Sequence, residues 1–76
     1  MSRSLHHIAI EIMETWKNPN YAALPYLDAM YHLNKITDMY YYDTADSVVR
    51  YFLANATGWR GEDARRIKAE LKGMLL

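Results

Sequence analysis

The sequence predicts an all-α protein: a compact single-domain bundle of four short helices, the second kinked at Pro25. Three observations lead there. Apolar residues recur at three- and four-residue steps in four separate stretches, the pattern of helices that each bury one stripe. Residues that start or stop helices stand between the stretches: Asn18 with Pro19, Asp43 with Thr44, and Asn55 through Gly58. The chain has 76 residues and no cysteine. That leaves room for one domain, residues 1–76, with neither disulfides nor thiolate-bound metal to support it. A domain of this size is marginal alone, so self-association is the expected supplement.

The first helix is expected over residues 4–16, SLHHIAIEIMETW. Leu5, Ile8, Ala9, Ile12 and Trp16 form its stripe, Ile10 and Met13 widen it, and Ser2 or Ser4 caps its start. Asn18 then suits a cap and Pro19 a first helical position, where a missing N–H costs nothing. Pro25 disfavours a helical Leu24 and removes a backbone donor. The reading is a short helical turn from Pro19, a kink or break, and a main helix from Pro25 to about Lys35. Leu27, Met30 and Leu33 face inward on it.

Residues 36–43, ITDMYYYD, form a connector with three consecutive tyrosines. No helix or strand buries three successive side chains on one face. In an extended connector Met39 and Tyr41 would close the core, and Tyr40 and Tyr42 would point elsewhere. Asp43 or Thr44 caps the third helix, Ala45 to about Asn55. Its Ala45, Val48, Val49, Phe52, Leu53 and Ala56 give the cleanest stripe in the chain. The fourth helix runs from near Gly61 to about Met74 and buries Ala64, Ile67, Leu71 and Met74 or Leu75. Its acids, Glu62 and Asp63, come first and its bases later, as the helix dipole favours.

Nine acids balance nine bases, but unevenly along the chain. Residues 1–49 hold six acids and three bases; residues 50–76 hold six bases and three acids. The halves can attract each other, within one chain or between two, or the basic half can attract nucleic acid. No stretch approaches the roughly 20 apolar residues of a membrane span. The start, MSRSLHHIAI, lacks the apolar run and cleavage site of a signal peptide. The expected setting is cytoplasmic, with no membrane partner.

The motifs of chemistry are sparse. His7, Glu11 and Glu14 share one helical face at spacings a divalent metal tolerates. A site needs convergence from other elements, however, and the sequence offers no second ligand pair, so no metal is expected. There is no nucleophile elbow, phosphate-cradling glycine loop or zinc-protease motif. The expectation is a protein that is not an enzyme and takes no cofactor or small-molecule substrate.

Two binding readings remain. Tyrosine covers apolar area while keeping its hydroxyl wet, and Trp, Tyr and Arg are enriched at interfaces. Tyr31, Tyr40, Tyr41, Tyr42 and Tyr51 are the expected interface, with Trp59 of GWRGED added if it is a hot spot. The structural alternative for Trp59 is a plug at the end of the bundle, with Gly58 in a left-handed conformation. The second reading is nucleic-acid binding by Arg60, Arg65, Arg66, Lys68 and Lys72. Against a helix-turn-helix, Glu62 and Asp63 occupy the positions that would enter the groove, and the connection is long.

The strings NPNYAALPYLDAM and DSVVRYFLANATGWRGEDARRIKAELKGML resemble small uncharacterised proteins of bacteriophage genomes. The resemblance spans about residues 16–75 and lies mostly in PYLDAM, YFLANA and WRGEDARRIKAEL. It brings no activity and no binding residues. It implies expression inside a bacterial host, where a small accessory protein acts by binding a host or phage protein. The leading expectation is therefore a protein–protein interaction module, a homodimer.

Overall fold

The computed structural model describes residues 3–76. The order is α1 (Leu5–Thr15), a 3-10 turn (Tyr21–Ala23), α2 (Leu24–Tyr31), β1 (Met39–Tyr40), β2 (Asp43–Thr44), α3 (Ala45–Ala54) and α4 (Glu62–Met74). The protein is mostly helical, with one two-stranded antiparallel sheet that the sequence reading did not foresee.

The helices form where their stripes and caps place them. Ser4 caps α1, its hydroxyl accepting the His7 N–H, and Thr44 caps α3 by accepting from Ser47. The alternative cap Ser2 lies outside the described residues. Leu5, Ile8, Ala9 and Ile12 of α1 pack with Leu27, Ala29 and Met30 of α2, with Val48, Val49 and Phe52 of α3, and with Ile67 and Leu71 of α4. Every buried residue is apolar, and no buried side-chain polar atom lacks a partner among the described residues. Full burial of side chains like these contributes about 1.5–3 kcal/mol each, against an ordering cost of similar total size. The radius of gyration, 11.1 Å, matches a closely packed chain of this length, roughly 11 Å.

Three boundaries differ from expectation. Asn20, not Asn18, caps the first turn: its Oδ1 accepts from Ala22 N, and its Nδ2 donates to Asn55 O at 3.0 Å. The 3-10 turn runs directly into α2, so Pro25 lies in the opening turn of that helix and not at a kink within a longer one. There its missing N–H is one the helix would leave unpaired anyway.

The third difference is that α2 stops at Tyr31, short of Lys35. The Asp38 carboxylate accepts the N–H groups of Asn34 and Lys35 at 3.1 and 2.9 Å, satisfying donors that would otherwise continue the helix. Asn34 O meanwhile accepts from Leu5 N at 2.9 Å, tying this bend to the start of α1. Those two N–H bonds hold the Asp38 carboxyl below its ordinary pKa. Asp38 O then accepts from Ala45 N at 2.8 Å, closing the base of the hairpin.

Gly61, not Gly58, supplies the left-handed backbone. Its φ of 107° and ψ of −178° precede α4 in a region that side chains rarely tolerate. Trp59 lies inside, 4% exposed, stacked on Trp16 with centroids 5.4 Å apart and planes 15° apart. Phe52 meets Trp16 edge-on at 6.1 Å. The two tryptophans thus close one end of the core.

Candidate interaction surface

The most exposed aromatic side chains stand on a hairpin tip. β1 and β2 pair Met39 with Thr44 and Tyr40 with Asp43, leaving Tyr41 and Tyr42 as a two-residue loop. Such loops need positive φ to follow the twist of the strands, which is why glycine or asparagine is usual there. Here Tyr41 takes it, at φ 55°, and no other non-glycine residue among those described has a positive φ. A bulky residue in this region is an outlier that costs of order 1 kcal/mol.

The turn reverses the expected facing of the tyrosines. Tyr40 packs against the core, while Tyr41 and Tyr42 are 82% and 98% exposed and Met39 is exposed beside them. The expectation that Met39 and Tyr41 close the core assumed a continuous extended chain. A chain reversal at Tyr41 breaks that alternation.

The Tyr41 ring is not isolated. Tyr41 meets Tyr40 edge-on at 4.8 Å; Tyr40 approaches His32 at 6.2 Å; His32 meets Tyr31 at 5.4 Å; Tyr31 meets His6 at 4.5 Å; and His6 meets His7 at 5.4 Å. Six rings from α1, the end of α2 and the hairpin form one continuous aromatic ladder. Its histidines also finish α2. Nδ1–H of His6 donates to Tyr31 O at 2.6 Å and Nδ1–H of His32 to Asp28 O at 2.9 Å. A carbonyl only accepts, so each ring carries its proton on Nδ1 in these bonds and leaves Nε2 unprotonated in the neutral form. Two of the last-turn carbonyls of α2 are satisfied this way.

Of the six residues expected at an interface, Tyr31, Tyr40, Tyr41 and Tyr42 come together on this ladder or its tip. Tyr51 is 55% exposed but stacks on Tyr26 at 5.5 Å, a pair separate from the ladder. Trp59 presents no ring to the surface, because it fills the core end against Trp16.

The basic residues divide. Arg66 Nη2 meets Glu11 Oε2 at 2.6 Å and Asp63 Oδ1 at 3.1 Å. Both carboxylates raise its pKa, Glu11 the more. Lys68 Nζ donates to Trp59 O at 2.6 Å and lies 5.9 Å from the Trp59 ring centroid. Burial, then the charges of Lys72 and Arg60, push its pKa down. Arg60, Arg65 and Lys72 are exposed and form no ion pair among the described residues.

The acidic face of α1 is also occupied. Arg3 bonds Glu70 through Nε and Nη2 at 3.0 and 2.6 Å and reaches Glu11 at 2.7 Å. Glu11 is therefore held by two guanidinium groups, and His7 Nδ1 lies 2.9 Å from Ser4 Oγ. His7, Glu11 and Glu14 do not assemble: among the described residues no three His, Cys, Asp or Glu side chains could hold a metal ion. No described helix is long and apolar enough to cross a membrane.

No family model, curated protein or solved structure matches the chain. The site is therefore read from its own geometry. Sequence reasoning missed His6 and His32, whose rings join the ladder only because α1 packs beside the end of α2. It also missed the turn at Tyr41, which lacks the glycine or asparagine that normally marks one.

Proposed function

We propose that the chain is a small non-enzymatic binding module that pairs with a second copy of itself through the hairpin tip and the aromatic ladder. The observation that carries the reading is the tip. A strained backbone at Tyr41 holds two aromatic side chains almost wholly in water. Strain of this kind persists where the surroundings over-determine it, often at functional positions. Tyr41, Tyr42, Met39 and Tyr31 offer large apolar area with hydroxyls that stay wet or bonded, a composition typical of interface cores. A symmetric pairing would bury the same patch on both copies. The resemblance to small phage proteins suits an accessory protein that acts in a bacterial cytoplasm by binding, with a host or phage protein in place of the second copy as the variant of this reading.

Light scattering coupled to size-exclusion chromatography tests the pairing. A concentration-dependent dimer is expected, shifted towards monomer by Tyr42→Ser, which changes a ring almost wholly in solvent. A strict monomer at high micromolar concentration overturns self-association.

A further inference from the structure

We propose that the open cleft between the end of α1 and the α3–α4 connection binds phosphate-bearing anions. The cleft is wide open to solvent, has a volume of about 350 Å³, and lies beside the Trp16–Trp59 stack. Lys17 and Asn18 stand on one wall, Gly58 and Arg60 on the other. Lys17 and Arg60 are exposed, and no carboxylate pairs with either among the described residues. Glu14, Glu62 and Asp63 are the carboxylates nearest in sequence, and none lines the cleft. Asp63 is already neutralised by Arg66.

The cations continue behind the wall. Lys68 uses one of its three donors on Trp59 O, which fixes the ammonium beside the same connection. Its neighbours in charge are Arg60 and Lys72, and both repel it. Lys17 and Arg60 thus line a polar cleft, and Lys68, which lies in the field of Arg60 and Lys72, is held on the same connection. An anion placed there meets charge-assisted donors and relieves the repulsion among them. Phosphate fits this set because Arg60 offers a planar fork and lysines offer point charges. The tryptophan rings are too buried to stack on bases, so the backbone charge, not base identity, is what the cleft would read. The proposal is independent of the aromatic ladder, none of whose rings lines the cleft.

The two cleft tryptophans are the only ones in the chain, so intrinsic fluorescence reports occupancy directly. Titration with inorganic tripolyphosphate in low salt, and anisotropy with a labelled oligothymidylate, form the two arms. Saturable response to both is expected, the oligonucleotide affinity falling with salt by about 0.7 log units per neutralised phosphate for each tenfold change in salt. Response to tripolyphosphate alone assigns a small phosphorylated ligand, and response to the oligonucleotide alone assigns a strand. The double variant Lys17→Gln, Arg60→Gln alters only exposed groups and should weaken binding about tenfold, while Lys35→Gln, outside the cleft, should not. No saturable response in either arm overturns the proposal, as does binding that the double variant leaves unchanged.

Discussion

Arg66 on α4 grips Glu11 on α1, with Nη2 2.6 Å from Oε2. The bond joins the basic and acidic parts of the sequence within one chain, and Arg3 extends it to Glu70. The charge asymmetry seen along the sequence is thus partly spent inside the fold. Arg66, one of the five candidates for nucleic-acid contact, is drawn into this network.

The network makes the fold acid-sensitive. The Glu11 carboxyl is held below its ordinary pKa of 4.5, first by its bond to Arg66 and then by Arg3. Arg3 does the same for Glu70. A carboxylate with a depressed folded pKa contributes stability that is full above its unfolded pKa and is lost as pH falls through the folded value. Thermal unfolding should therefore be flat near neutrality and turn downward below about pH 4.5. Glu11→Gln should cost about 1 kcal/mol at pH 7, as partly exposed pairs do when they form a network. It should also shrink the acid-side decline. An identical decline in wild type and variant would refute the role given to Glu11.

The two glycines of the α3–α4 connection should respond in opposite senses. A Cβ on either meets nothing within 4 Å, so space does not distinguish them. Backbone does: Gly61 holds φ 107°, and Gly58 shows no positive φ. Gly61→Ala should destabilise by about 1–3 kcal/mol. Gly58→Ala should be neutral or stabilise by up to about 1 kcal/mol, through loss of unfolded-chain freedom. Denaturant midpoints of the two variants measure this, and equal losses would contradict the assignment.

The legible part of this fold lies in its apolar spacing. The centres of the four stripes, headed by Leu5, Leu27, Ala45 and Ala64, are buried, because a 3.6-residue period encodes a face without reference to the rest of the chain. Their margins are not: Ile10, Leu53, Met74 and Leu75 are half-buried, and Met13, expected to widen the first stripe, is exposed. What was not legible depends on pieces that meet only in space. Asp38 ends α2 by taking two N–H groups that composition would give to a longer helix. The choice of Gly61 over Gly58 turns on a φ value that both residues could adopt. For the candidate surface, the tyrosines were visible as composition, but their directions were set by the turn at Tyr41. The histidine rungs were set by α1 lying beside α2. Lys68 and Arg66 looked equivalent to Arg60 and Arg65 in sequence. They differ in the fold because Trp59 O and Glu11 lie within their reach.

Replacing Tyr41 by glycine separates stability from association. The side chain at position 41 is 82% exposed and its main intrachain contact is the edge of Tyr40. Its backbone at φ 55° is one that glycine adopts without steric cost at the first position of a two-residue hairpin loop. Losing the ring contact costs about 0.5–1 kcal/mol, and releasing the strain returns about 1–3 kcal/mol. The added freedom of glycine in the unfolded chain costs about 0.4–1 kcal/mol more, so the net change expected for Tyr41→Gly lies between a loss of about 1 and a gain of about 2 kcal/mol of stability. The same substitution removes a ring from the proposed interface, so the dimer dissociation constant should rise by about tenfold or more, as for loss of an aromatic anchor. A variant that gains stability and loses pairing identifies Tyr41 as a residue kept in strain for binding. One that loses well over about 1 kcal/mol, more than the ring contact and the freedom of glycine explain, shows instead that the hairpin depends on the tyrosine ring, and then the exposed tip needs no partner to account for it.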